Sequence, residues 1–218
     1  MAPTLGYWNI RGKGEPIRLL LTYTGTKFED KRYSPSSSDD WFKRDKQSLG
    51  FDFPNLPYYI DDDNDVKLTQ QLAICRYIAG KHQGLSGQSG EEQRRVNVVE
   101  QQLTEMSSQF SQLMLHPDYD TIKADYLEKR LSPSLQLLGK FLGDRPFLAG
   151  QTVTYVDFIA FELLEKLNAW QPLEVYSKVD KLKQFTSRVR SLPSIANYLL
   201  TAPNVPFNGP HFKWGGSV

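Results

Sequence analysis

The sequence predicts a small α/β domain followed by an all-helical one. Strand and helix signals alternate through residues 1–82, and a Gly/Ser-rich stretch, Gln83 to Gly90, then breaks the pattern. From Glu91 to about Leu200 only helical periodicity remains. The chain is therefore divided into residues 1–82, a linker at 83–90, and a helical domain at 91–218 with an irregular tail.

Thr4 to Trp8 (TLGYW) is an apolar run that reads as a strand. Glu15-Pro16 followed by IRLLLTY reads as a helix with proline in its first turn. Lys27 to Tyr33 alternates and is a second strand. Ser34 to Asp40 (SPSSSDD) is a polar loop, and WFKRDKQSLG holds a short helix ending at Gly50. Tyr58 to Ile60 and Val66 to Leu68 flank an acidic turn and form a hairpin. Leu72, Ile74, Cys75 and Ile78 are spaced for a helix over Gln71 to Lys81. This order, βαβ, α, then ββα, is that of a thioredoxin-like domain.

Four helices follow: Glu91 to Met114, Asp118 to Leu142, Tyr155 to Leu167 and Lys178 to Ser191. The third has a start signal. Thr154 and Asp157 are spaced for a capping box, with Val153 and Phe158 as its hydrophobic staple. The tail, TAPNVPFNGPHFKWGGSV, is expected to be coil with aromatic anchors.

Composition removes several function classes. Lys plus Arg (26) nearly balances Asp plus Glu (25), so nothing points to nucleic acid or an anionic membrane. The single cysteine cannot form an internal disulfide, and one cysteine with three histidines offers no zinc or haem constellation. The first residues lack a signal peptide's basic and apolar segments, and Leu19 to Leu21 is too short to span a bilayer. A soluble, cytoplasmic protein without a bound metal is expected. P-loop, dinucleotide-fingerprint and GxSxG patterns are missing from the sequence.

Several residues are candidates for chemistry. In a thioredoxin-like domain a redox cysteine belongs at the end of the first strand, where this chain has Tyr7; Cys75 lies on the apolar face of a helix and reads as inert. Any sulfur handled here then comes from a ligand. A tyrosine hydroxyl that donates to a thiolate favours the ionised form, and one such bond, worth roughly 1.5–3 kcal/mol, lowers a thiol pKa by about one to two units. Arg11 either assists the thiolate electrostatically or is a structural partner of Glu15 or Glu29, the second reading being favoured, and Lys13 has no assigned role. Leu56-Pro57 stands before a strand, where a cis proline would present the Leu56 backbone to an extended peptide; an ordinary trans bond is the alternative. Thr69-Gln70-Gln71 opens a helix whose N–H groups suit a carboxylate, or Thr69 is simply its cap. Trp41 is a lid or an anchor, and Lys46 is a point charge for a ligand carboxylate or part of a solvated run. Phe53 either inserts into a partner or fills the core beneath its turn.

Taken together, LGYWNIRG with PIRLLL, FPNLPYYID, TQ before AICRYIAGKH, and TYVDF resemble the mu class of glutathione S-transferases, over essentially the whole chain. The resemblance implies a thioredoxin-like domain joined to a helical one, a homodimer, and transfer of glutathione as thiolate to hydrophobic electrophiles. Glutathione is then a co-substrate, with no tightly bound cofactor. It implies Tyr7 as the thiolate's partner, Asn55, Leu56 and a cis Pro57 along the cysteinyl backbone, and Gln70 and Gln71 at the γ-glutamyl end. Trp8, Trp41 and Lys46 (or Lys43) fall near the glycyl carboxylate, and Glu105 reaches the glutathione of the other subunit. The electrophile site would take Leu115, Met106, Phe207, Asn208 and Gly209. The chain departs from the family at Gln71, where serine is common, at Glu105, where aspartate is usual, and at Leu115, where a tyrosine is expected. The loop at Ser34 to Asp40 is also short. A ligand carrier without turnover and a glutathione-dependent isomerase are the alternatives.

Overall fold

The computed structural model describes residues 1–172 and 178–216. β1 (Thr4–Trp8), α1 (Glu15–Tyr23) and β2 (Glu29–Tyr33) make a parallel βαβ unit. β3 (Tyr58–Asp61) and β4 (Val66–Thr69) complete a four-stranded sheet in the order β2-β1-β3-β4, with β3 antiparallel to both neighbours. α2 (Gln71–Gly80) follows the hairpin. This is the thioredoxin-like arrangement read from the sequence. The segment between β2 and β3 holds a wide π-type turn at Asp40–Asp45 that runs into Lys46–Ser48.

The helical part opens with α3 (Gly90–Leu115). The helix expected over Asp118 to Leu142 is present as three contiguous helical segments, α4 (Tyr119–Tyr126), a π-type turn at Leu127–Leu131, and α5 (Ser132–Leu142). Pro133 accounts for the widened turn. It has no N–H to return to the preceding turn, so the ladder widens just before it. α6 (Tyr155–Trp170) and α7 (Asp180–Arg190) lie close to their expected spans, but α8 (Pro193–Thr201) goes beyond the helices read from the sequence. Its proline occupies the first helical turn, where the missing N–H costs nothing.

The tail is irregular but pinned. The Phe207 and Asn208 N–H groups donate to the carbonyls of Gly216 (3.0 Å) and Gly215 (2.8 Å), and Lys213 N–H donates to Met114 (2.9 Å). The last two tail residues, 217 and 218, lie outside the described residues.

One contiguous apolar core joins both parts, running from Leu5, Ile17 and Leu20 to Leu103, Phe158 and Phe161. The junction is also polar. Glu100, fully buried on α3, accepts from Arg76 of α2 and from the Tyr155 hydroxyl of α6 at 2.6 Å.

The capping box at the start of α6 forms as its spacing predicts. Asp157 Oδ2 accepts the N–H and the hydroxyl of Thr154 (both 2.8 Å), while Oδ1 accepts Leu148 N–H at 2.9 Å. Burial pushes this carboxyl up to about 6 against the pull of those donors. Asp157→Ala strands two buried backbone donors and is expected to cost about 3 kcal/mol. Urea unfolding should show this as a lower midpoint at unchanged slope, and a loss under 1 kcal/mol would mean that other groups satisfy those donors.

Candidate active site

Tyr7 sits at the inner end of β1, nearly buried at 6% exposure. Its hydroxyl oxygen accepts the backbone N–H of Lys13 at 3.1 Å. Burial pushes the phenol above its ordinary value, and the Lys13 N–H works the other way. The side chain therefore stays a neutral phenol with a proton to give.

The glycines of the turn make room for the ring. A methyl on Gly14 would lie 2.6 Å from Tyr7 Cδ1, and one on Gly12, whose φ is +44°, would lie 2.7 Å from the hydroxyl. Gly14→Ala is thus expected to displace the ring rather than unfold the chain. About a tenfold loss of kcat/KM should follow, with the melting temperature little changed, since sub-ångström misplacement of a reacting group is costly. Unaltered kinetics would show that the ring has space to spare.

The turn is clamped from the helical side. The N–H groups of Arg11 and Gly12 donate to the carbonyls of Pro206 (2.8 Å) and Phe207 (3.1 Å). The Arg11 side chain does not pair with Glu15 or Glu29. Its guanidinium engages both carboxylate oxygens of Glu162 on α6, the shortest contact being 2.5 Å, and lies 4.8 Å over the Phe207 ring. Against the cost of burial, Glu162 holds Arg11 above its ordinary pKa. The neighbouring Arg18 donates to Glu15, to Asp30 and to the Ile10 carbonyl, so Glu15 belongs to that pair instead.

A cavity of about 480 Å³ opens beside Tyr7, between the sheet and the helices. Gln70, Gln71, Phe207, Asn208 and Gly209 line it as well. Gln70 holds φ +73°, a conformation side-chain-bearing residues seldom adopt, and precedes α2 without capping it. Thr69 is not the cap either, because its hydroxyl donates to the Phe53 carbonyl at 2.9 Å. The first N–H groups of α2 consequently open beside this cavity with no side-chain cap over them.

Comparison with known proteins identifies this architecture. The family model described as glutathione S-transferase, N-terminal domain, matches residues 3–80, and that for the C-terminal domain matches residues 104–201. A glutathione S-transferase of Tyrophagus putrescentiae is 46% identical over 217 residues, 98% of this chain and 97% of the relative. The chain belongs to the glutathione S-transferase family. A class-mu 26 kDa isozyme of Fasciola hepatica is 41% identical over 99% of this chain and 96% of its own, which supports the mu-class reading. The crystal structure of the glutathione S-transferase Blo t 8 superposes with a TM-score of 0.87 at 28% identity, covering 97% of this chain and 99% of that one.

In this glutathione transferase Trp8, Trp41, Lys46, Asn55, Leu56 and Pro57, also expected at the site, are not among the residues that line the cavity. The Leu56-Pro57 bond is cis. The Leu56 N–H is occupied by its neighbour's side chain, Asn55 Oδ1 at 2.9 Å, a local bond that the sequence reading did not include. Trp8 packs edge-on to Tyr33 and against Phe42. Trp41 is an anchor, buried and stacked on Tyr58 at 6.0 Å. Lys43 is tied to Asp39, whereas Lys46 lies half-buried with its ammonium 5.4 Å over the Phe42 ring. Phe53 is 76% exposed, which rules out a core role within the chain.

Three residues of α3 stand outside the cavity. The helix presents Thr104, Ser107, Ser108 and Ser111 to it. At 100° per residue Met106 points the opposite way and is buried in the core. Leu115 lies on the cavity-facing stripe but one turn past Ser111, about 6 Å along the axis, and is solvent-exposed. Glu105 is exposed and accepts from Gln109 at 2.9 Å.

Glu162 and Lys166 line the cavity from α6, and Lys13 lines it from the β1–α1 turn. None was assigned to the site from sequence. A signal existed for the α6 pair: opposite charges four residues apart on a mostly apolar helix demand an explanation.

Proposed function

We propose that Tyr7 activates glutathione by donating its hydroxyl hydrogen to the thiolate sulfur, and that the cavity presents a hydrophobic electrophile to that sulfur. One observation carries this reading. The Tyr7 oxygen accepts from Lys13 N–H, while among the described residues nothing takes the phenolic proton, and the ring lines the cavity. The accepted bond also polarises the hydroxyl, making it a better donor. The thiol proton goes to solvent, the sulfur pair forms the new C–S bond, and with an aryl halide the halide leaves with its bonding pair.

Glutathione would lie with its γ-glutamyl carboxylate at the start of α2, near Gln70 and Gln71, because exposed helix N–H groups favour an anion. Its cysteinyl backbone would pair with Leu56 beside Pro57, displacing the Asn55 side chain, while Trp8, Trp41 and Lys46 serve the glycyl end. A homodimer is part of this reading. The exposed Phe53 offers an apolar anchor, and Glu105 stands free of the cavity to reach the neighbouring subunit's glutathione. No helix among the described residues is long and apolar enough to cross a membrane, and the one cysteine is a buried free thiol; a cytoplasmic location for the detoxification of electrophiles fits both.

The test is glutathione-dependent conjugation of a chromogenic aryl halide, with ultraviolet titration of the bound thiol. Turnover together with a bound-thiol pKa well below that of free glutathione is expected. Tight binding of apolar compounds without turnover would make the protein a carrier.

A further inference from the structure

The role given to Tyr7 leaves two cations of the cavity unexplained. Lys166 is nine-tenths buried on α6, Lys13 stands on the β1–α1 turn, and both line the same space. Neither ammonium is hydrogen-bonded or ion-paired to a described residue. Glu162 is one helical turn before Lys166, but Arg11 takes both of its carboxylate oxygens. Among the described residues the Phe110 ring is the close contact of Lys166, 5.1 Å from the ammonium. Burial holds Lys166 below the ordinary lysine value, Glu162 works against that shift, and the like charge of Lys13 adds to it, so an anion bound beside it restores its charge.

A buried ammonium without an anion is expensive to keep, and a ring face repays only part of the cost. The rest of the lining divides by polarity. Leu103, Ile159, Leu163 and Phe212 make an apolar wall, whereas Ser107 and Ser108 bring hydroxyls. Such a space suits a molecule with an apolar body and one acidic head.

Building on the proposed transferase chemistry, we infer that the preferred acceptors are apolar electrophiles bearing a carboxylate, recognised by Lys166 with Lys13 in support. The carboxylate supplies the anion that the buried Lys166 ammonium lacks, and the exposed Lys13 adds a second positive charge to the same lining. The reacting carbon then lies at the other end of the molecule, toward Tyr7. Lys166 is a specificity-determining residue in this scheme, and the sulfur chemistry remains with Tyr7.

A matched pair of acceptors separates charge from chemistry: 4-chloro-3,5-dinitrobenzoate and its methyl ester. In both, sulfur bonds to the ring carbon that carries chlorine, chloride leaves with the C–Cl electrons, and the thiol proton goes to buffer. The readout is the acid-to-ester ratio of kcat/KM, in which the intrinsic reactivity difference cancels between variants. Lys166→Met should lower the ratio about tenfold, as expected for one charge-assisted contact. Lys13→Met should lower it less, and Lys166→Arg should preserve most of it. A ratio unchanged within twofold in both methionine variants overturns the inference.

Equilibrium binding provides a second arm that needs no turnover. Calorimetry on the wild-type protein should show unreactive 3,5-dinitrobenzoate binding more tightly than 1,3-dinitrobenzene, and equal affinities overturn the inference. Turnover with an acid-to-ester ratio that neither methionine variant changes leaves the transferase reading intact and removes only the carboxylate site. If neither acceptor is turned over, the transferase reading fails, and the calorimetric comparison alone decides whether the anion site exists.

Discussion

Replacing Tyr7 with phenylalanine is expected to raise the pH at which bound glutathione ionises by about one to two units. The hydroxyl is the only atom removed, and a hydrogen bond to a charged acceptor is worth roughly 1.5–3 kcal/mol, while each pKa unit is about 1.4 kcal/mol. A thiolate is stabilised by the bond more than the thiol is, so losing it favours protonation. At a pH below the variant's thiol pKa, the reactive fraction and kcat/KM should fall by about ten- to a hundredfold. The ring should stay in place, because it packs against Gly12 and Gly14 and belongs to the apolar cluster with Trp41 and Tyr58. The loss should therefore shrink as pH rises and the thiol ionises unaided. Ultraviolet titration of the glutathione complex checks this, and identical titration midpoints in the two proteins would remove Tyr7 from the proposed role.

Arg11→Met is expected to be the most destabilising of these substitutions, by about 4 kcal/mol, because it leaves Glu162 buried without its partner. In a chain of this size that corresponds to roughly 10 °C in melting temperature. Burial already pushes the Glu162 carboxyl up to about 7 with Arg11 opposing it, and removing Arg11 sends it higher. The sign of the pH dependence follows. A carboxyl whose folded pKa exceeds its unfolded value binds more protons in the native state. The variant should thus be most stable below the ordinary glutamate range near 4.3, and lose stability as pH rises toward its folded pKa. Arg11→Met combined with Glu162→Met removes both charges and should recover most of the loss. A double variant no more stable than the single one would show that packing over Phe207, rather than the ion pair, carries the cost.

How far the fold could be read depended on how local its causes are. β1, α1, the hairpin and the start of α6 were legible, because apolar spacing, a first-turn proline and a capping box act within a few residues. The π-type turn near Leu127 and the helix starting at Pro193 were not, since helical spacing runs straight through a widened turn and a proline is the same letter whether it ends a helix or begins one. Within the site, the missing cysteine at the strand end directed attention to Tyr7. The glycines that admit its ring were visible only as a flexible turn until Tyr7 stood against them.

The sequence by itself determined the two-part fold, the family and the phenol at the end of β1, because each rests on short-range pattern or a run of motifs. Only the tertiary structure decided which charges meet. Arg11 could have paired with Glu15 or Glu29 by proximity in the chain, yet its partner is Glu162, 151 positions away. Leu115 and Met106 left the cavity for a similar reason: where a helix ends, and which face it turns inward, is settled by what packs against it. The buried ammonium of Lys166 is the clearest case. A lysine in a sequence reads as solvent-exposed, and only the closing of α3 and the tail over α6 makes it a charge awaiting an anion.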